Sequence, residues 1–373
     1  METDSDDIPP PQPPKFKHYG VFVKKRYSDQ KRLFAHQIEA LDALEKWFTN
    51  VETQDKTAVV VMPTGSGKTG VICCLPYTLG AIAERVHGLD LRKPILIVSP
   101  DLSIQNQLEK NLHPVDYAEP GEAFLLKREI VTKNNQAAIM RELRDDIIPS
   151  NDIILANAQK WHIRPSSTSP NILWKELNED TFSVVIVDEA HHLPATQWQR
   201  IIDKFSKHAK VVFFTATPYR SDGQEIADSI ELVGFAYRLD RRYAIQRNII
   251  RDTTFDSIET PASTDKDENL QILKNVSDLL TEKNTQCPLP GGYRHVAIAI
   301  ARDKAGADAL EEMWNERHHD KSAAVYHSDL KKGPLADIMK RLKKGRCNCS
   351  SLLQCCWKDS IIHPSVLLRL PLV

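Results

Sequence analysis

Pro63-Thr64-Gly65-Ser66-Gly67-Lys68-Thr69 is a run that can hold phosphate. Its glycines let the backbone curl until successive N–H groups point at phosphate oxygens, and a helix starting there adds its positive end. Thr64, Gly65, Ser66 and Gly67 form the cradle. Lys68 reaches the β- and γ-phosphates, and the Thr69 hydroxyl holds Mg²⁺. Met62 stands where such loops usually carry glycine, so the match leans on its strand–loop–helix setting.

A second constellation follows the apolar run Val184-Val185-Ile186-Val187, which ends in Asp188-Glu189. A phosphate-loop enzyme needs one carboxylate for the metal and another to orient or deprotonate the attacking water. Asp188 is the metal candidate and Glu189 the general base. His191 and His192 are adjacent and outside any His-Glu-x-x-His pattern, which argues against zinc. His191 suits a hydrogen-bond relay between the nucleotide site and the core.

These residues need elements to carry them. Runs rich in β-branched residues at Thr57–Met62, Pro94–Ser99, Asp152–Ala156, Ser183–Val187 and Lys210–Thr215 predict strands, and Gln37–Phe48 and Thr196–Lys207 predict amphipathic helices. Continuous apolar strands alternating with helices predict an α/β fold with a parallel sheet covered on both faces. Ligands of such sheets gather at the carboxyl ends of the strands, where the chemistry above falls.

The chain divides by composition into a 1–25 acidic, proline-rich and then basic tail, a first domain over 26–250, a polar linker over 251–268, a second, partial α/β unit over 269–346, and a tail over 347–373. The second unit is expected to hold helices at Leu270–Glu282, Asp303–Glu316 and Leu335–Lys344 and strands at His295–Ile300 and Ala323–His327. Between Lys15 and Arg32, basic residues interleave with Phe16, Tyr19, Phe22 and Tyr27, a mixture that suits either a nucleic-acid strand or a solvated linker.

With 49 basic and 50 acidic residues, no global positive field advertises a nucleic-acid partner, so such a surface must be local. Seven cysteines, an acidic start and no apolar run of roughly 18 residues point to an intracellular chain, nuclear or cytoplasmic, with no secretory leader and no membrane partner. Oligomeric state is not legible.

The ordered motifs resemble superfamily 2 helicases and translocases of the DEAD/DEAH-like class, nearest the restriction-enzyme motor subunits of the type III (ResIII-like) branch. The resemblance runs from about Arg32 to Arg346. It implies a RecA-like phosphate-loop domain followed by an incomplete second RecA-like domain, with ATP and Mg²⁺ as cofactors and nucleic acid as partner, DNA favoured and RNA second. In Arg32-Leu33-Phe34-Ala35-His36-Gln37, Gln37 is similar to the family's adenine-reading glutamine; the alternative is an exposed residue on an amphipathic helix. Ser99-Pro100 with Gln107, and Asn157 with Gln159, resemble the family's contacts to the strand, although each alone also suits a turn. Thr215-Ala216-Thr217 is similar to the switch that links hydrolysis to strand binding. Ser328 matches a strand contact of the second domain. Nothing resembles the guanine-reading Asn-Lys-x-Asp of a GTPase.

The family pattern stops after Gly345-Arg346. An apolar strand, a Glu-Gly-Phe-Asp-like motif and the Gln-x-x-Gly-Arg-x-x-Arg motif that supplies an arginine finger are expected next, and Cys347, Cys349, Cys355 and Cys356 come instead. Their spacing lacks the Cys-x₂₋₄-Cys pairs of zinc sites. Codons for 356–363 can be chosen so that a shifted frame reads Leu-Glu-Gly-Phe-Asp-His-Pro, so the tail is expected to come from a frame shift or mis-splicing, with the shift near Asn348. The sequence therefore predicts a nucleic-acid-stimulated ATPase core of a helicase or translocase, impaired in hydrolysis and unwinding. The competing expectation is a non-catalytic fragment that binds nucleotide or nucleic acid.

Overall fold

The computed structural model describes residues 33–90, 92–100, 102–112, 124–128, 130–131, 139–140, 152–157, 177–190, 195–219, 233–252, 265–288, 295, 297–301, 303–318, 323–326 and 352–355. The chain falls into two compact units, residues 1–251 and 252–373.

The first unit opens with helix α1 (Ala35–Thr49), whose Ala40, Leu41, Leu44 and Phe48 recur at helical spacing and are buried. Strand β1 (Thr57–Val61) leads through the loop 62–67 into helix α2 (Lys68–Ile82). There follow β2 (Ile95–Ser99), α3 (Leu102–Leu112), the short helix α4 (Phe124–Lys127), β3 (Ile139–Met140), β4 (Ile153–Asn157), β5 (Val184–Val187), α5 (Ala195–Phe205), β6 (Lys210–Thr215), β7 (Val233–Arg238) and α6 (Arg241–Gln246). The seven strands form one sheet in the order β3-β4-β2-β5-β6-β1-β7, with every neighbouring pair parallel.

Alternate residues of each strand face opposite sides of the sheet. Val60, Ile97, Leu155, Ile186, Val212 and Phe214 therefore join one core with α1 and α2, while Val59, Val98, Ile154, Val185, Val187 and Phe213 join a second with Ile201, Ile202 and Phe205 of α5. Burial on both faces is why these strands read as unbroken apolar runs. This is the expected α/β class, a parallel sheet with helices over it.

β7 and β3 were not foreseen. The first carries Gly234 among aromatic and charged residues, and the second is two residues long, so neither shows the β-branched run that marks the inner strands.

The second unit holds α7 (Asp265–Gln286), β8 (Ile298–Ala301), α8 (Lys304–Arg317), β9 (Ala324–Tyr326) and β10 (Leu352–Cys355). Leu273, Val276 and Leu280 of α7 pack with Ala307, Leu310 and Trp314 of α8. The Asp303 carboxylate accepts from the Gly306 N–H at 2.7 Å and starts α8.

Two expectations are corrected here. The linker expected over 251–268 ends sooner, because Asp265 to Glu268 form the first turn of α7. A strand does follow Arg346 in the frame as written: β10 lies between β8 and β9, parallel to both. The helix expected at Leu335–Lys344, the 1–25 tail and the basic-aromatic stretch to Arg32 lie outside the described residues. No described helix is long and apolar enough to cross a membrane.

Candidate nucleotide site

Three adjacent strands deliver the site. β6 lies between β1 and β5, with Val61 level with Thr215 and Val187 level with Phe213. The backbone links continue past the strand ends: the Met62 N–H donates to the Thr215 carbonyl at 3.0 Å, and the Asp188 N–H to the Val98 carbonyl at 2.8 Å. The phosphate-type loop, Thr215 and Asp188-Glu189 therefore leave the same edge of the sheet.

Gly65 and Gly67 adopt φ of 85° and 84°, the left-handed region that favours glycine, and Lys68 opens α2. The Ser66 N–H and hydroxyl both donate to the Pro63 carbonyl, at 3.1 and 2.6 Å, which closes the curl. Thr64, Gly65 and Gly67 are exposed, Ser66 is buried and Thr69 half-buried.

Lys68 crosses to the acids. Its Nζ lies 2.5 Å from Glu189 Oε1 and 3.5 Å from Asp188 Oδ1. The ammonium is buried between these two carboxylates, and its three donors exceed the two partners, which leaves capacity for an anionic oxygen. Burial pushes the Asp188 carboxyl up to about 6; Lys68 opposes the rise and the neighbouring Glu189 adds to it. Glu189 itself holds φ at 48°, a conformation uncommon for a residue with a side chain, while its N–H donates to Asp188 Oδ1 at 2.8 Å. These residues fit a nucleotide phosphate with a hard divalent cation: a buried ammonium and a buried carboxylate face one another there, and the hydroxyl residue Thr69 follows Lys68 in the chain.

Gln37 is buried, which excludes the exposed-helix alternative. Its Nε2 donates to the Gly67 carbonyl at 2.9 Å and its Oε1 accepts from the Phe34 N–H at 3.0 Å. His36, which the sequence did not single out, adds a 2.7 Å bond from Nε2 to the Ser66 carbonyl. The signal was available: two polar residues at the start of an otherwise apolar helix face must be satisfied when buried.

The Thr215 hydroxyl donates to the Thr217 carbonyl at 2.7 Å and accepts from the Thr217 N–H at 3.2 Å, so the two threonines form one local turn. Ser99 is a correction. It is 1% exposed and its hydroxyl points to the Ala156 carbonyl at 3.5 Å, so in this structure it fastens β2 to β4 and does not lie open to a strand. Pro100 is half-buried, Gln107 is exposed on α3, and Asn157 ends β4. His191, Gln159 and Ser328 lie outside the described residues. No group of three or more His, Cys, Asp or Glu able to hold a metal ion occurs among the described residues.

Residues 30–220, just over half of the chain, match the sequence profile of the type III restriction enzyme res subunit. No curated protein matches the chain in sequence. Among solved structures, the Mycobacterium smegmatis helicase Lhr bound to ssDNA and AMP-PNP aligns over 90% of the chain at 17% identity and a TM-score of 0.51. The DUF1998 helicase MrfA bound to DNA aligns over 89% at 15% identity and a TM-score of 0.52. The chain spans 41% and 44% of the lengths of those helicases, and at such identities the likeness is one of fold.

Proposed function

This chain belongs to the family of the type III restriction enzyme res subunit, and on that premise we propose that it is the ATP-binding core of a nucleic-acid-dependent motor. The observation that carries the proposal is the convergence of Lys68 Nζ on Glu189 and Asp188 at the carboxyl edge of adjacent parallel strands. In the resting arrangement the lysine neutralises the two acids. When ATP binds, Lys68 turns from the carboxylates to the β- and γ-phosphates, and the N–H groups of 64–69 surround them.

Thr69 and Asp188 would hold Mg²⁺, which when bound neutralises charge on the phosphate oxygens. Glu189, released from Lys68, orients the attacking water and accepts its proton on a carboxylate oxygen. Gln37 retains one N–H and one lone pair beyond its two bonds, enough to meet a base edge. Thr215, Thr217 and His191 couple the site to the strand.

Pro100, Gln107, Asn157, Gln159 and Ser328 are its proposed contacts, with DNA favoured over RNA and a location inside the cell. Hydrolysis and unwinding by these 373 residues are expected to be weak, since no Gln-x-x-Gly-Arg-x-x-Arg motif occurs in them. A missing arginine finger costs on the order of 10³–10⁵ in turnover in phosphate-loop enzymes.

Filter binding of single- and double-stranded DNA and RNA, at two salt concentrations with and without a non-hydrolysable ATP analogue, tests the proposal. Nucleic-acid affinity that shifts with the analogue, and stops shifting in Lys68→Ala, is expected. Affinity indifferent to the analogue sinks the motor reading, and rapid nucleic-acid-stimulated phosphate release would overturn the expectation of weak turnover.

A further inference from the structure

The proposed strand contacts Pro100, Gln107, Asn157, Gln159 and Ser328 are all neutral. Much of the affinity of a protein for nucleic acid comes instead from cations that replace the counterions of its phosphates. Such cations must be gathered in one place, because the chain as a whole stands at −1. One stretch among the described residues gathers them. From Arg238 to Arg251, five of fourteen residues are arginine, all of them exposed, and Asp240 is the one acid. Its Oδ1 is engaged by the N–H groups of Arg242 and Tyr243, at 2.8 and 3.0 Å, which starts α6.

Ala244 turns the inner side of α6 to the core, and at 3.6 residues per turn Arg242, Tyr243, Gln246 and Arg247 fall on the side facing away from it. The Arg247 guanidinium lies 5.1 Å from the Tyr243 ring centroid. A guanidinium resting on a ring is already ordered, and its planar fork of donors matches a phosphate. The place of α6 is equally defined. The Leu239 N–H donates to the Val61 carbonyl at 2.9 Å, and a Cβ on Gly65 would lie 3.9 Å from Ile250 Cγ2, so α6 shares the rim of the sheet that carries the phosphate-type loop. β7 is five places from β4 in the sheet, or about 24 Å at roughly 4.8 Å per strand.

We infer that this arginine-rich rim is a second nucleic-acid foothold, in which Arg242, Arg247 and Arg251 hold backbone phosphates of a segment flanking the one at β2 and β4. The inference rests on the nucleic-acid reading of the chain. Phosphates of one duplex strand follow at about 3.4 Å, so roughly seven of them separate α6 from the end of β4. Phosphate contacts fix register and orientation without reading bases. The foothold therefore supplies affinity and salt dependence, and no sequence preference.

Fluorescence anisotropy of labelled DNA and RNA duplexes, titrated with the purified chain at salt concentrations from about 50 to 200 mM, tests it. The variants are Arg242→Gln, Arg247→Gln and Arg251→Gln singly, the three together, and the same three positions changed to lysine. Lys56→Gln combined with Lys207→Gln is the control, since both are exposed cations at the opposite rim, where β1 and β6 begin. Each glutamine is expected to flatten the slope of log Kd against log salt by about 0.7–0.9, and the three together by about 2–3. The lysine triple should keep the parent slope, which counts charges, and the control pair should leave it unchanged. A glutamine triple with the parent slope, or a control pair that flattens it as much per charge, overturns the foothold while the nucleic-acid reading stands. Poly-glutamate that displaces the duplex as well as unlabelled DNA does, charge for charge, gives the arginines to an acidic protein and likewise overturns it. If the parent chain binds neither duplex at the lowest salt, the nucleic-acid reading fails and takes the foothold with it.

Discussion

Lys68, Asp188 and Glu189 share one buried site, and their energies are linked. Burial holds Asp188 protonated up to about pH 6 in the folded chain, whereas in the unfolded chain it ionises near its ordinary value of 3.8. Between those values the folded state binds more protons, so without Mg²⁺ stability falls as pH rises through about 4 to 6. Asp188→Asn should flatten that part of the profile; urea denaturation of both proteins at intervals across the window checks it, and parallel profiles would be contrary. Cys73 and Cys74 are buried, and desolvation lifts both thiols well above their ordinary value, while Cys287 is exposed. Of these three, only Cys287 should react with a thiol reagent at pH 8 in the native protein, as peptide mapping would read. The proximity of Lys68, Asp188 and Glu189 was legible because phosphate chemistry restricts residue type and spacing together. The positions of Ser99 and His36 were not, because burial is decided by neighbours distant in sequence.

At the level of elements, the strand–loop–helix unit from β1 to α2 depends on its surroundings as much as on its glycines. Replacing a glycine within a helix by alanine ordinarily stabilises by about 0.5–1 kcal/mol. At Gly70 the sign should reverse, since the new methyl would meet Phe124 and Gln37. Gly70→Ala is expected to lower Tm and weaken ATP binding, and a raised Tm would refute the packing of α4 on α2. Phe213 and Phe214 face opposite cores and are both fully buried. Truncating either to alanine should cost about 3–5 kcal/mol, measurable by urea denaturation. The inner strands could be read from sequence because both of their faces are buried. β7 could not, because among the described residues it pairs with β1 alone and its own residues are mostly half-exposed. β10 escaped for another reason: the apolar content expected of a core strand shrinks there to Leu352 and Leu353, and pairing with β8 and β9 supplies the rest.

Across the whole molecule, every residue assigned to phosphate and metal lies in the unit that ends at Arg251. Of the residues proposed for strand contact or coupling, only Ser328 belongs to the second unit. The parallel sheet and the order of its motifs were legible because alternating apolar strands and helices admit few topologies. The extent of the second unit was not, because its strands are short and its sequence polar. The central claim is that Lys68 holds the phosphates of ATP, and titration calorimetry of Mg·ATP into the 373-residue chain and its Lys68→Ala variant tests it most directly. Saturable binding by the parent chain and at least about a tenfold loss in the variant are expected, the scale of a lost charged hydrogen bond. Equal affinity in the two proteins, or no binding by either, would contradict the claim.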